Sequence, residues 1–221
     1  MERPVFGFIG TGNMGGALAR AARRRLEGGQ LLLANRTEAK AKALAKELGA
    51  SLSNNRTIAG SADYIFLGVK PQMMGELLAE IGPELPARKG RFVLVTMAAG
   101  LTIADIRRMA GGEVPVLRIM PNTPCSIGEG MVLYAPGPGV TEGEVQVFLE
   151  AMAGAGRFSP LPEKLMDAGS AVAGCGPAFA DLFLEALADG GVACGLPRGQ
   201  ALEFAAQMVL GSARLLLAAA L

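Results

Sequence analysis

The stretch Val5-Phe6-Gly7-Phe8-Ile9-Gly10-Thr11-Gly12-Asn13-Met14-Gly15 sets a short apolar run against a glycine turn, and residues of helical composition follow from Asn13 to Leu26. Strand, glycine turn and helix in that order place a G-x-G-x-x-G motif in the setting that gives it meaning. Gly10 permits a tight turn, Gly12 lets backbone approach a pyrophosphate, and Gly15 allows close helix–strand packing. The start of the helix offers free N–H groups and a partial positive charge to phosphates. The alternative is a glycine turn without a ligand.

Working outward, further apolar runs read as strands: Val5–Gly10, Leu31–Ala34, Tyr64–Val69, Phe92–Met97, Val116–Met120 and Met131–Tyr134. Most are continuous, as expected of strands covered on both faces of a parallel sheet. Asn13–Leu26, Thr37–Leu48, Gln72–Ile81 and Thr102–Met109 alternate with them as helices. This order predicts an α/β domain with a Rossmann-type, open, doubly wound parallel sheet over residues 1–160. Around Pro160 and Pro162 the pattern changes to Ala- and Leu-rich helices, Glu163–Ala173, Ala178–Ala193 and Arg198–Ala220. Residues 161–221 are therefore expected to form an all-α domain. Its apolar surface calls for a partner, and its last helix ends without a Gly, Asn or Pro stop. The expectation is a homodimer and a helical domain that is C-terminally incomplete.

The ends of the strands carry the polar groups. About 20 residues past the last glycine, where an NAD enzyme sets Asp or Glu on the ribose, stand Asn35, Arg36 and Thr37. An amide, a guanidinium and a hydroxyl suit a 2′-phosphate that a carboxylate would repel, so NADPH is expected, with NADH possible. As alternatives, Arg36 is a solvated turn residue and Thr37 a helix cap. Val69-Lys70-Pro71 ends another strand, with Lys70 either facing a ribose or phosphate or simply solvated, and Pro71 starting a helix. Met97-Ala98-Ala99-Gly100 leaves room for a flat ring. Pro121 and Pro124 stiffen the loop of Asn122 and Thr123, which is either a presenter of fixed polar groups or an ordinary turn.

Composition excludes several chemistries. Among 221 residues there is no His, which removes His-based metal sites, His general bases and Ser-His-Asp triads. No metal site is expected. Net charge is +1, and Arg23-Arg24-Arg25 sits where a helix ends, which suits its C-terminal carbonyls better than nucleic acid. Cys125, Cys175 and Cys194 form no pair pattern and read as reduced thiols of a cytoplasmic protein. No signal peptide is evident, and Gln207, Ser212 and Arg214 interrupt the apolar stretch from Phe204 to Leu221, so no membrane partner is expected.

Taken together, Ile9 to Gly15, Asn35-Arg36-Thr37, Val69-Lys70-Pro71, Ala98-Ala99-Gly100-Leu101-Thr102-Ile103 and Met120-Pro121-Asn122-Thr123-Pro124 resemble the pyrroline-5-carboxylate reductase family in order and spacing. So do Glu163-Lys164-Leu165-Met166-Asp167-Ala168, Gly174-Cys175-Gly176-Pro177-Ala178-Phe179, Glu185 to Val192, Gly195-Leu196-Pro197-Arg198 and Ala206 to Gly211. The resemblance spans essentially the whole chain. It implies that Ile9, Gly10, Thr11, Gly12, Asn13, Met14, Asn35, Asn55, Val69, Lys70, Pro71, Met97, Ala98 and Ala99 touch NADPH. It places Glu163 and the turn Gly174, Cys175, Gly176 and Pro177 beside the substrate, and implies a homodimer or a higher oligomer built of dimers. Two departures stand out. The family usually carries Ser-Gly-Ser-Gly-Pro-Ala-Tyr where this chain has Ala173-Gly174-Cys175-Gly176-Pro177-Ala178-Phe179, and it continues into a Ser-Pro-Gly-Gly-Thr-Thr loop that lies beyond Leu221.

The implied reaction is reduction of 1-pyrroline-5-carboxylate, a cyclic imine, to L-proline, the last step of proline biosynthesis. A protonated C=N carbon is already electrophilic, so positioning supplies most of the catalysis, which suits a chain without His. Cys175 and Thr123 are the candidate proton donors. Two alternatives come from other classes: a 3-hydroxy acid dehydrogenase using Lys164 as base, and a non-catalytic NADP-binding regulatory dimer.

Overall fold

The computed structural model describes residues 3–219. The strands are β1 (Phe6–Ile9), β2 (Leu31–Ala34), β3 (Ser51–Leu52), β4 (Tyr64–Leu67), β5 (Val93–Thr96), β6 (Val116–Met120), β7 (Gly130–Pro136) and β8 (Gly156–Pro160). Between and after them lie helices α1 (Asn13–Arg23), α2 (Glu38–Leu48), α3 (Asn55–Ser61), α4 (Met74–Ile81), α5 (Glu84–Ala87), α6 (Ile103–Met109), α7 (Glu142–Met152), α8 (Met166–Gly169), α9 (Gly176–Ala193) and α10 (Arg198–Ala219). The chain forms two compact units, one through Gly174 and one from Cys175 onward.

The first unit is a single sheet in the order β3-β2-β1-β4-β5-β6-β7-β8. Strand order reverses between β1 and β4, the switch point at which doubly wound sheets take their ligands. β1 to β6 pair in parallel; β7 runs antiparallel to β6, and β8 parallel to β7. The expected all-parallel sheet is thus corrected at its far edge. The reason is local: the 3-10 turn Thr123–Ile127 is too short for a crossover, so the chain must fold back beside β6.

Alternation along the strands divides the core between the two faces. Phe6, Phe8, Tyr64 and Phe66 meet α1, α2 and α7 on one face, while Ile9, Ile65 and Leu67 meet α3, α4 and α6 on the other. The few aromatic residues are concentrated here. Phe6 stacks on Tyr64 and Phe8 on Phe66 at ring separations of 4.6 and 4.3 Å, each between directly paired residues of β1 and β4. Such pairs add about 0.5–1.5 kcal/mol beyond the area they bury.

The packing boundary falls later than the change near residue 160. Segment 163–174 follows the sheet as a 3-10 turn (Glu163–Leu165), α8 and a π-turn (Ser170–Gly174), in place of the regular helix expected over Glu163–Ala173. Met166 is wholly buried in the core of the first unit, and this ties the segment to the sheet.

The second unit is the hairpin of α9 and α10. Small residues let the two helices approach: Ala188, Ala201 and Ala205 are buried, and a Cβ on Gly191 would stand 3.3 Å from that of Ala201. Gly195, with φ +98°, makes the reversal between them. The expected end of α10 at Ala220 lies outside the described residues.

Candidate active site

The glycine turn after β1 reaches the switch point beside the end of β4. Gly10 has φ +93°, and its N–H donates to the Ala34 carbonyl at 2.9 Å; the Gly68 N–H donates to the Ile9 carbonyl at 2.7 Å. A Cβ on Gly15 or Gly68 would overlap the Gly10 carbonyl oxygen. These glycines let three backbone segments touch. Gly12 differs: it caps α1 with φ −71°, is exposed, and a Cβ there would meet nothing within 4 Å. The space in front of the α1 N-terminus is therefore open, and it is bounded by backbone N–H groups, as a pyrophosphate requires. Thr11 is buried, and its hydroxyl has no hydrogen-bond partner among the described residues. Both features fit a dinucleotide cofactor.

Asn35 is placed at the same cleft, with its side chain bonded to backbone. Its Oδ1 accepts from the Thr11 N–H at 3.1 Å, and its Nδ2 donates to the Thr37 carbonyl at 3.1 Å. It thus locks the turn after β2 to the glycine turn after β1. Arg36 and Thr37 beside it are exposed, and Thr37 caps α2 by position without a side-chain bond. Val69, Lys70 and Pro71 follow β4, Lys70 exposed and Pro71 opening a 3-10 turn. Met97 and Ala98 are packed at the end of β5, and Ala99 and Gly100 are exposed. Asn13 and Met14 begin α1. Asn55 opens α3, where its Nδ2 donates to Glu80 at 2.8 Å.

On the expected substrate side, Asn122 is buried and Thr123 exposed at the end of β6. Cys125 below them is buried, and burial pushes its thiol up, so it remains protonated. Glu163 is engaged with protein groups. Its Oε1 accepts from the Ile103 N–H at 2.7 Å and from Arg118 Nη1 at 3.2 Å. Arg118 is 3% exposed and also reaches Asp167 at 3.4 Å. Sequence reasoning had not singled out Arg118; a charged residue within an otherwise apolar buried strand was the available signal. Lys164 is exposed on the adjoining turn. Gly174 ends the first unit, and Cys175, exposed, begins the second with Gly176 and Pro177 opening α9. Two members of the basic triplet bind backbone carbonyls. Arg23 donates to the Leu48 and Leu26 carbonyls, and Arg24 to those of Gly154 and Ser126.

A switch-point glycine cradle with an open phosphate face defines a dinucleotide-binding protein of the Rossmann class. Residues 5–100 match the model of NADP oxidoreductase, coenzyme F420-dependent, and residues 163–220 that of pyrroline-5-carboxylate reductase dimerisation. The chain is 34% identical to pyrroline-5-carboxylate reductase of Pisum sativum, over 95% of this chain and 76% of the relative. It is also 34% identical to that of Escherichia coli, over 98% and 80%. The crystal structure of Plasmodium falciparum pyrroline carboxylate reductase with NADP bound superposes with a TM-score of 0.85 at 31% identity, covering 97% of this chain and 79% of the other. The chain belongs to the pyrroline-5-carboxylate reductase family.

Proposed function

We propose that this chain catalyses the NADPH-dependent reduction of 1-pyrroline-5-carboxylate to L-proline in the cytoplasm, as a homodimer formed through the helical domain of residues 161–221. The observation that carries the reading is the pairing of an open phosphate face at Gly12 with a family match extending over both halves of the chain. Ile9 to Gly15 would hold the pyrophosphate, Asn35, Arg36 and Thr37 the 2′-phosphate side, and Asn55, Val69, Lys70, Pro71, Met97, Ala98 and Ala99 the rest of the cofactor. Asn122, Thr123, Glu163 and Gly174 to Pro177 belong to the substrate side. The bound cofactor supplies the hydride. The protein's share is to hold the cyclic imine in line, to exclude water and to keep the imine nitrogen protonated. The exposed Thr123 hydroxyl and Cys175 thiol are the groups available to carry that proton.

The test is NADPH oxidation on addition of pyrroline-5-carboxylate, with a 3-hydroxy acid as control in the oxidative direction. Imine-dependent turnover is expected, and turnover of the hydroxy acid alone would refute the reading. Arg36→Ala should weaken NADPH more than NADH, by about 1–3 kcal/mol for one charge-assisted contact. Equal losses for the two cofactors would remove Arg36 from the 2′-phosphate site.

A further inference from the structure

Asn122 stands just before a helical turn, where an Asn ordinarily caps the following N–H groups. Here it makes no such cap. Its side chain instead joins two distant strands of backbone. Oδ1 accepts from the Met131 N–H at 3.0 Å, at the start of β7, and Nδ2 donates to the Ala173 carbonyl at 2.9 Å, 51 residues away. The residue is 7% exposed, so both bonds are largely shielded from water and each is costly to lose.

The Ala173 carbonyl belongs to the π-turn Ser170–Gly174. A π-turn widens the helical ladder and is frequent at functional sites. Two further contacts show how closely this segment is held. A Cβ on Gly174 would stand 3.0 Å from Ser170 Oγ, and one on Gly169 would meet Leu161 Cδ2 at 2.7 Å. At its other end, Glu163 bonds to Arg118 and to the Ile103 N–H. The segment is thus fastened at one end to β6 by Arg118 and at the other to the loop after β6 by Asn122, and the chain passes from it directly into Cys175-Gly176-Pro177.

We propose that Asn122 is a positioning residue, which fixes the π-turn ahead of Gly174 by its bond to the Ala173 carbonyl and makes no contact with the imine. The consequence for turnover rests on the reductase reading above; the clamp itself does not.

Asn122→Asp separates the two bonds, since it keeps an acceptor for the Met131 N–H and sets a carboxylate oxygen against the Ala173 carbonyl. By hydrogen exchange, amides of 170–177 should exchange at least tenfold faster in the variant, with the Met131 amide still protected. In kinetics, KM for pyrroline-5-carboxylate should rise about tenfold while KM for NADPH stays within about twofold. If the buried charge unfolds the protein, Asn122→Ala is the second variant; it should expose both the Met131 amide and the 170–177 amides and show the same split of KM values. Unchanged exchange at 170–177 in a folded variant overturns the clamp. Faster exchange with a fall in kcat alone, at unchanged imine KM, would make Asn122 a catalytic contact and overturn the positioning role. If the wild-type chain does not turn over the imine, the exchange result alone decides the clamp.

Discussion

The sheet unit and the helical hairpin use the same apolar side chains in opposite ways. In the first, Phe6, Phe8, Phe66 and Phe148 are fully enclosed between sheet and helices. In the second, Phe179, Leu182 and Phe183 on α9 are 65, 63 and 55% exposed in the single chain, and the buried residues are alanines. A two-helix hairpin has one contact face per helix, so bulky residues all round must find cover from outside. The sheet unit encloses most of its bulky side chains while the hairpin leaves its own exposed, and a second copy of this chain is the cover that the family match favours.

That contrast breaks most visibly if the hairpin is charged. Phe183→Asp combined with Leu187→Asp should convert the dimer to monomer, weakening association by roughly a hundredfold or more, since each buried apolar side chain contributes about 1.5–3 kcal/mol. Light scattering across a concentration series reads the effect, and NADPH binding by the sheet unit should persist. A dimer that survives the pair of charges would move the interface elsewhere.

Within the sheet unit, two glycines with different roles, Gly15 and Gly12, provide the next test. Gly15→Ala places a methyl on the Gly10 carbonyl and should lower the melting temperature, because overpacking of this kind costs about 1–3 kcal/mol. A Cβ at Gly12 meets no protein atom within 4 Å and the φ is ordinary, so Gly12→Val should keep the fold while NADPH binding is lost. Titration calorimetry and thermal melts on the two variants should give opposite patterns. Retained NADPH affinity in folded Gly12→Val would show that the open face is not the phosphate site.

Much of this architecture was legible from one-dimensional pattern. β1, β2, β4, β5 and β6 follow continuous apolar runs, and the Gly10–Gly15 spacing located the cradle because each glycine answers a local demand. The start of α7 is legible in the box Thr141-x-x-Glu144, while its body, with Phe148, Ala151 and Met152 as its buried residues, lacks a regular apolar face. β8 carries Arg157 and Ser159 at an edge, and such a strand has no continuous signature. The roles of Asn35, Asn122 and Glu163 were not legible. Each is a residue whose nearest partners in sequence suggest a cap or a solvated turn, while its actual partners lie 24, 51 and 60 residues away. Pattern reports which face is buried; it does not report which backbone groups are left needing a partner.

The smallest effect concerns how the sheet unit holds itself without a partner. Glu144 closes the capping box of α7 by accepting from the Thr141 N–H, and it pairs with Arg91 at 2.6 Å. Burial pushes its carboxyl up, but the bonds from Arg91 and Thr141 outweigh this and leave it below the usual carboxylate range. A folded-state value below the unfolded one means that the ionised group stabilises the fold above the unfolded pKa, near 4.3, and that this contribution fades as pH falls through the folded value. Glu144→Ala should therefore cost about 1 kcal/mol at pH 7. The Tyr64 hydroxyl, which donates to the Glu144 backbone carbonyl at 2.7 Å, keeps its partner in this variant. The gap between wild type and variant should narrow as pH is lowered below about 4, while the dimer constant, set by the other unit, stays the same at pH 7. Thermal melts from pH 7 to pH 3 measure it, and a gap that does not change with pH would mean that side-chain packing, not the carboxylate, supplies what Glu144 contributes.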